Sequence, residues 1–300
     1  MEKPKFIMMC GLPASGKSTY AKELALKYNA KIFSSDELRE EMLNDVNNQD
    51  HNTDIFIELH RRIKAHLASG GNAVYDATNI NSKKRRAFLS ELKNINCIKK
   101  CYIVATPYEK CLKRNKERDR VVPEDVIKRM YLNWNTPYWF EGWDNIICYC
   151  DTEHTITVDD WLEQHKDYNQ DNPHHTMTLG EHCRKTFEFL LNRNENNSLL
   201  LYAAAIHDCG KPFTKSFKNS KGELTDVAHY YNHNNSGAYD SLFFKYLTSV
   251  NSLDVSILVN LHMQPYFWKE EKTYKKYERL WGKELYDNVM KLHKADKESH

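Results

Sequence analysis

The chain has 300 residues, enough for about two domains. Lys and Arg number 43 against 41 Asp and Glu, and the formal net charge of +2 excludes a protein that holds polyanions by bulk charge alone. No apolar run nears the roughly 20 residues that cross a bilayer, and Phe6–Cys10 falls short of a signal-peptide core of about 7–15 residues, so a cytoplasmic protein with no membrane partner is expected.

In chain order, Lys5–Cys10 is a short apolar run ending at Gly11 and predicts a buried strand. Residues 17–28 read as a helix. Further strands are predicted at 30–33, 72–75, 98–104 and 145–150, with helices at 36–44, 54–69, 82–93, 107–117 and 123–134. Strands separated by helices imply a parallel sheet covered on both faces. After about residue 160 the strand signal ends. A polar stretch with Asn172-Pro173 reads as a linker, and helices follow near 179–193, 198–208, 232–248, 252–263 and 275–296. The expected architecture is an α/β domain over 1–160 (parallel sheet, flanking helices and a lid), a linker over 161–175 and an all-α domain over 176–300. Residues 1–150 hold 25 Lys and Arg against 19 Asp and Glu, whereas residues 151–300 hold 18 against 22; a basic front half and an acidic rear half suggest two different jobs. The eight cysteines form no pair of CxxC knuckles, which disfavours a zinc ribbon and predicts reduced thiols.

The first strand runs into Gly11-Leu-Pro-Ala14-Ser15-Gly16-Lys17-Ser18-Thr19, a full GxxxxGK[ST] between a strand and a helix. Backbone N–H groups of this loop cradle phosphates, Lys17 neutralises them, and the Ser18 hydroxyl can hold Mg²⁺. Gly11, Ala14, Ser15, Gly16, Lys17, Ser18 and Thr19 are therefore candidate contacts to ATP. Asp36, after the second strand, either caps the next helix or accepts the proton of an attacking hydroxyl. Arg39, one turn on, is placed to hold an acceptor phosphate. Asp76-Ala-Thr-Asn79 ends another strand, where parallel α/β sheets open onto their sites. The run Lys83-Lys84-Arg85-Arg86 reads mainly as a solvated helix face. Arg114 and Arg118, four apart, share a helix face and could clamp a polyphosphate. The aromatic group Trp134, Tyr138, Trp139, Phe140 and Trp143 is either core, a seam, or a platform for stacking bases.

The order GxxxxGKS, Asp-x-x-Arg, Asp-x-Thr-Asn, Arg-Asn-x-x-Arg over roughly residues 4–150 resembles the polynucleotide 5′-kinases. The resemblance implies that Asp36 is the general base for a nucleic-acid 5′-OH. It implies that Arg39 contacts the acceptor phosphate and that Arg114 and Arg118 bind the donor phosphates of ATP with Mg²⁺; Asp76 and Asn79, at their strand end, are candidate acceptor contacts.

Most of the 14 histidines lie in the rear half. His182 sits near a helix start, and His207-Asp208 ends a helix before Cys-Gly-Lys211-Pro. His233, His262 and Asp296 follow. Imidazole suits transition metals, and a carboxylate can bridge two ions, which together assist in-line displacement at phosphorus. This series, over roughly 172–300, resembles the HD phosphohydrolase superfamily, in the variant appended to RNA-repair kinases and tRNA nucleotidyltransferases. The resemblance implies a catalytic His207-Asp208 pair and metal ligation by His182, His207, Asp208 and Asp296, with His233 and His262 completing a second site. Two divalent ions such as Mn²⁺, Ni²⁺, Co²⁺, Fe²⁺ or Zn²⁺ would be held. Lys211 is either a phosphate contact or a helix cap, and His175 and His229 are read as surface or supporting groups. In repair enzymes of this type the HD module usually comes first; here the kinase does.

The expected function is RNA end healing: ATP-dependent phosphorylation of 5′-OH ends, with metal-dependent removal of a 2′,3′-cyclic or terminal 2′/3′-phosphate. Partners would be an NTP donor, a 5′-OH RNA or DNA, and an RNA ligase. A nucleoside or nucleotide kinase joined to an HD nucleotidase stays open, as does a kinase beside a non-catalytic, metal-bound HD module.

Overall fold

The five apolar runs of the first half form five strands in one all-parallel sheet. In this computed structural model, which describes residues 2–45, 48, 51–151, 155–173, 176–247 and 249–299, β1 is Lys5–Cys10, β2 Ala30–Ser34, β3 Asn72–Asp76, β4 Ile98–Ala105 and β5 Asn145–Cys150. Their order is β2-β3-β1-β4-β5, and every neighbouring pair is parallel. β1 is central, so Phe6 to Cys10 are buried on both faces, which explains its unbroken apolar sequence. Helices α1 (Lys17–Tyr28), α2 (Ser35–Leu43), α3 (Asn52–Ala68), α4 (Ser82–Glu91), α5 (Tyr108–Lys116) and α6 (Glu124–Tyr131) fill the crossovers. Ala21 and Leu24 of α1 pack on Ile7, Met9, Val74, Tyr102 and Val104. On α3 the buried Ile55, Leu59, Ile63 and Leu67 recur every four residues, the single apolar stripe of an amphipathic helix.

The pairing register decides where the chemistry collects. Met8 lies beside Tyr75 and Ser34 beside Asp76, so β1, β2 and β3 end together. The glycine loop, Asp36 and the Asp76–Asn79 turn therefore leave one edge of the sheet, the crevice where open α/β sheets bind ligands.

The second half is mainly helical: α7 (Val158–Gln164), α8 (Leu179–Leu191), α9 (Ser198–Ile206), α10 (Lys211–Thr214), α11 (His233–Asp240), α12 (Ser252–Leu261), α13 (Glu271–Trp281) and α14 (Lys283–Glu298). Helix α9 packs against α8, α12 and α14, and its apolar face, with Leu200, Ala203, Ala204 and Ile206 buried, is the middle of that core.

Several sequence expectations need correction. The rear half is not all-α. Short strands β6 (Ile156–Thr157) and β9 (Phe244–Lys245) pair in parallel, and β7 (Ser216–Lys218) with β8 (Leu224–His229) makes an antiparallel hairpin. Those strands are two to six residues long and mostly half-exposed or exposed, so no apolar alternation announces them. The helix expected over 232–248 stops at Asp240, and the one over 275–296 is two helices broken at Gly282, whose φ of +80° suits glycine. The chain divides into two units, Met1–Met130 with Pro137–Cys150 and Tyr131–Thr136 with Asp151–His300. The change thus falls after Cys150 rather than at 160, and the stretch taken as linker begins inside α7, because α7 packs on α8 and α9.

Candidate active sites

The glycine loop follows β1 directly. A Cβ on Gly11 would stand 2.4 Å from the Val104 carbonyl oxygen, so only glycine lets the backbone pass there. Ala14 (φ +60°) and Gly16 (φ +95°) turn the loop with left-handed backbone, the geometry that aims successive N–H groups into an anion cradle. Lys17 is buried and its Nζ donates to the Leu12 carbonyl at 2.6 Å. Burial pulls its pKa down and Asp76 opposes that. Gly11→Ala is expected to weaken binding of a fluorescent ATP analogue at least tenfold, because the clash is with fixed backbone; unchanged affinity would show that the loop can shift freely.

The lid differs from its sequence reading. Helix α5 ends at Lys116, so Arg118 lies beyond the helix and does not share a face with Arg114. Arg114 Nη1 donates to Thr106 Oγ1 at 3.3 Å, and that hydroxyl donates to the Ser15 carbonyl at 3.1 Å, tying the arginine to the cradle. Arg118 is exposed, and its charge adds to the depression of Lys17. Asn115, fully buried, braces the loop that follows: it donates to the Val122 carbonyl at 2.7 Å and accepts from the Val122 N–H at 3.0 Å. Sequence reasoning passed over Asn115, although it lies within the Arg-Asn-x-x-Arg motif.

Asp36 is not the cap of α2. Ser34 caps that helix, accepting from the N–H groups of Asp36 and Glu37. The Asp36 carboxylate instead meets two guanidiniums, Arg39 Nη1 on Oδ1 at 3.0 Å and Arg120 Nη1 on Oδ2 at 2.5 Å. Arg120 had no assigned role in the sequence reading. Arg39 is buried, and its Nη2 donates to Asn52 Oδ1 at 2.7 Å, so in this conformation it orients Asp36 rather than facing solvent. Asp76 is buried at the end of β3, and Asn79 turns the chain at φ +46°. The aromatic group splits: Trp134 and Trp143 are buried, whereas Trp139 is 48% exposed.

The rear site is a buried polar cluster in an apolar helical core. His182, His207, Asp208, His233, His262 and Asp296 are all buried. His182 Nε2 lies 3.2 Å from His207 Nε2 and 3.1 Å from Asp296 Oδ1. His233 Nε2 lies 3.2 Å from His262 Nε2 and 3.1 Å from Asp208 Oδ1. Asp208 spans both groups, its Oδ2 being 3.4 Å from His207 Nε2. Two overlapping triads result, His182-His207-Asp208 and Asp208-His233-His262.

The ring tautomers follow from the helix ends. His207 and His262 cap the C-termini of α9 and α12, where carbonyls lack helical partners. Their Nδ1 atoms sit on the carbonyls three residues back, Ala204 at 2.9 Å and Val259 at 2.7 Å. His233 Nδ1 does the same with Tyr230 at 2.7 Å. A hydrogen on each Nδ1 leaves each Nε2 as a lone pair facing other lone pairs and carboxylates. Once a metal displaces any proton held there, the array fits divalent ions with their supporting carbonyls already in place. Burial works against a charged His207, but Asp208 and Asp296 hold its pKa well above the usual value. Burial, with His207 and His233, pushes His262 down to about 3. Tyr266, unremarked in the sequence, donates to Asp296 Oδ2 at 2.9 Å. Lys211 is neither exposed nor a cap: Nζ meets Asp208 Oδ2 at 2.7 Å and Gln170 Oε1 at 2.8 Å. His229 stacks on Tyr231 and belongs to neither triad, and His175 lies outside the described residues.

A family model described as an AAA domain matches residues 6–137. The L-seryl-tRNA(Sec) kinase of Methanococcus maripaludis is 29% identical over 179 residues, taking in 55% of this chain and 66% of that protein; the chain thus spans just under two thirds of that relative. Among solved structures, one of the Pnkp1/Rnl/Hen1 RNA repair complex is 20% identical over 43% of this chain and 43% of its own, with a TM-score of 0.37. A gluconokinase from Sinorhizobium meliloti is 16% identical over 51% of this chain and 86% of its own, with a TM-score of 0.38. Among the described residues no helix is long and apolar enough to cross a membrane. With its all-parallel sheet, glycine cradle and family match, the front unit is a P-loop domain of kinase type.

Proposed function

We propose that the front unit transfers the γ-phosphate of ATP to a hydroxyl on RNA, its 5′-OH end in the first instance, and that the rear unit removes a 2′,3′-cyclic or terminal phosphate from RNA. The observation that carries the first half is the Asp36 carboxylate, held by Arg39 and Arg120 at the strand ends beside the glycine cradle. Its side chain is 48% exposed, so an acceptor hydroxyl has access to it. ATP with Mg²⁺ would be held by the loop N–H groups, Lys17 and Ser18, and Arg114 and Arg118 would draw the lid onto the donor.

The double triad supports the second half. His182, His207, Asp208 and Asp296 would hold one divalent ion, and Asp208, His233 and His262 another. Such a pair, when bound, supplies Lewis-acid stabilisation of phosphoryl oxygens. The chain's own part is orientation: backbone carbonyls fix the imidazoles, Tyr266 fixes Asp296, and Lys211 pins Asp208.

The likeness to the seryl-tRNA kinase favours a second reading, in which the acceptor is a hydroxyl carried on tRNA rather than a 5′ end. One assay separates the readings. Labelled ATP and divalent metal are offered with a 5′-OH oligoribonucleotide bearing a 3′- or cyclic phosphate, with seryl-tRNA, and with free nucleosides, and both RNA ends are resolved. Transfer to nucleosides but not to either RNA would overturn both.

Arg118→Ala should lower transfer at least tenfold, and Arg118→Lys should not restore it, since an ammonium cannot copy a planar fork on phosphate oxygens. A fully active Lys variant would reduce this position to a point charge.

A further inference from the structure

Three of the four residues in Lys83-Lys84-Arg85-Arg86 are exposed as expected, but Arg85 is buried. Neither its side chain nor that of Glu141 has exposed surface. Arg85 Nε and Nη2 donate to the two Glu141 oxygens at 2.8 and 2.6 Å. Ser82 Oγ and Trp143 Nε1 donate to the same carboxylate at 2.7 and 2.9 Å. Desolvating such a pair costs several kcal/mol per ion, and well-packed apolar residues often serve stability as well or better. The pair therefore points to a task that apolar side chains cannot perform.

That task shows in the remaining arm. Arg85 Nη1 donates to the Asn79 carbonyl at 2.8 Å, which also accepts from the Cys10 thiol at 3.3 Å. Asn79 has φ +46°, the left-handed backbone that asparagine adopts more readily than other non-glycine residues. Its Nδ2 donates to the Met9 carbonyl at 2.8 Å, and the Gly11 N–H donates to the Thr78 carbonyl at 3.0 Å. The turn after β3 is thus stitched to the junction of β1 and the glycine loop, and the buried guanidinium holds the Asn79 end of it.

We propose that Arg85, anchored by Glu141, is a positioning residue that fixes the Asp76–Asn79 turn against the phosphate cradle and so places the acceptor hydroxyl relative to the donor phosphate. This rests on reading the front unit as a kinase with Asp76 and Asn79 on its acceptor side. A misplacement of about 1 Å at a reacting centre can cost on the order of a hundredfold in rate.

Two variants test it. Arg85→Lys keeps a cation beside Glu141, but one ammonium cannot span the carboxylate and the Asn79 carbonyl together. Arg85→Met combined with Glu141→Leu removes both charges and keeps apolar bulk, which guards against a single variant that fails to fold. In both, phosphorylation of a 5′-OH oligoribonucleotide should fall roughly 10–100-fold relative to acceptor-free ATP hydrolysis by the same protein. Hydrogen exchange at residues 77–81 should quicken about tenfold while α3 exchanges as before. A folded variant with the wild-type ratio of transfer to hydrolysis, or unchanged exchange at 77–81, overturns the proposal, as does failure of both variants to fold. If the wild type phosphorylates no acceptor at all, the kinase reading fails, and exchange at 77–81 still decides whether the clamp exists.

Discussion

Asp36→Asn is expected to lower phosphoryl transfer by about two to four orders of magnitude, the range that a positioned general base contributes, while ATP binding and melting temperature stay near wild type. The amide keeps the size of the carboxylate but cannot take up a proton. Asp36 is half exposed, and the Asn oxygen can still accept from the buried Arg39 and from Arg120, so melting temperature separates a loss of the base from a loss of the fold. Arg120→Ala is the companion. It frees one carboxylate oxygen and should reduce transfer less than Asp36→Asn does, without abolishing it. Single-turnover transfer to a 5′-OH oligonucleotide measures both effects, and an Asp36→Asn protein that transfers at the wild-type rate would remove the base from the proposal.

The front unit was largely legible because its chemistry is written in short local spacings. A glycine loop between a strand and a helix is one continuous segment, and β1, with five apolar residues in succession, announces its place in mid-sheet. What remained illegible is long-range. The basic run on α4 looks uniform as sequence, yet helical phase turns Arg85 inward onto Glu141, 56 residues away. Arg120 reaches Asp36 from across the lid, a pairing that no spacing encodes. The shared face of Arg114 and Arg118 depended on α5 continuing, and it ends two residues before Arg118.

In the rear unit the ligand residue types were readable and their support was not. His207-Asp208 stood out as a pair, but that His207 and His262 close their helices, and hand Nδ1 to a carbonyl three residues back, follows only from where α9 and α12 stop. Tyr266 and Gln170 lie in segments with no motif. They enter because chain elements distant in sequence converge on Asp296 and Lys211. The hairpin of β7 and β8 escaped for the opposite reason: three half-exposed residues against six carry too little apolar pattern to register.

Asp208→Asn should abolish phosphate removal by the rear unit and leave the kinase intact, because Asp208 alone belongs to both triads. Asn preserves volume, whereas Asp208→Ala would also leave Lys211 and His207 buried beside a cavity and is expected to destabilise the unit by about 3–5 kcal/mol. A readout independent of turnover is available. An ion bound at about a thousand times its Kd stabilises a fold by about 4 kcal/mol, which for a unit of this size is a rise in melting temperature of roughly 10 °C. Mn²⁺, Ni²⁺ or Co²⁺ added to chelated wild type should give that rise and restore hydrolysis, and Mg²⁺ should do so poorly, since imidazole ligands do not suit it. The Asp208→Asn protein should show neither. Binding should also weaken as pH falls, because the carboxylates that raise His207 keep a proton there that a metal must displace. An Asp208→Asn protein that keeps the metal-induced rise and still hydrolyses the phosphate would show that the buried cluster is a structural network and that the hydrolase site lies elsewhere.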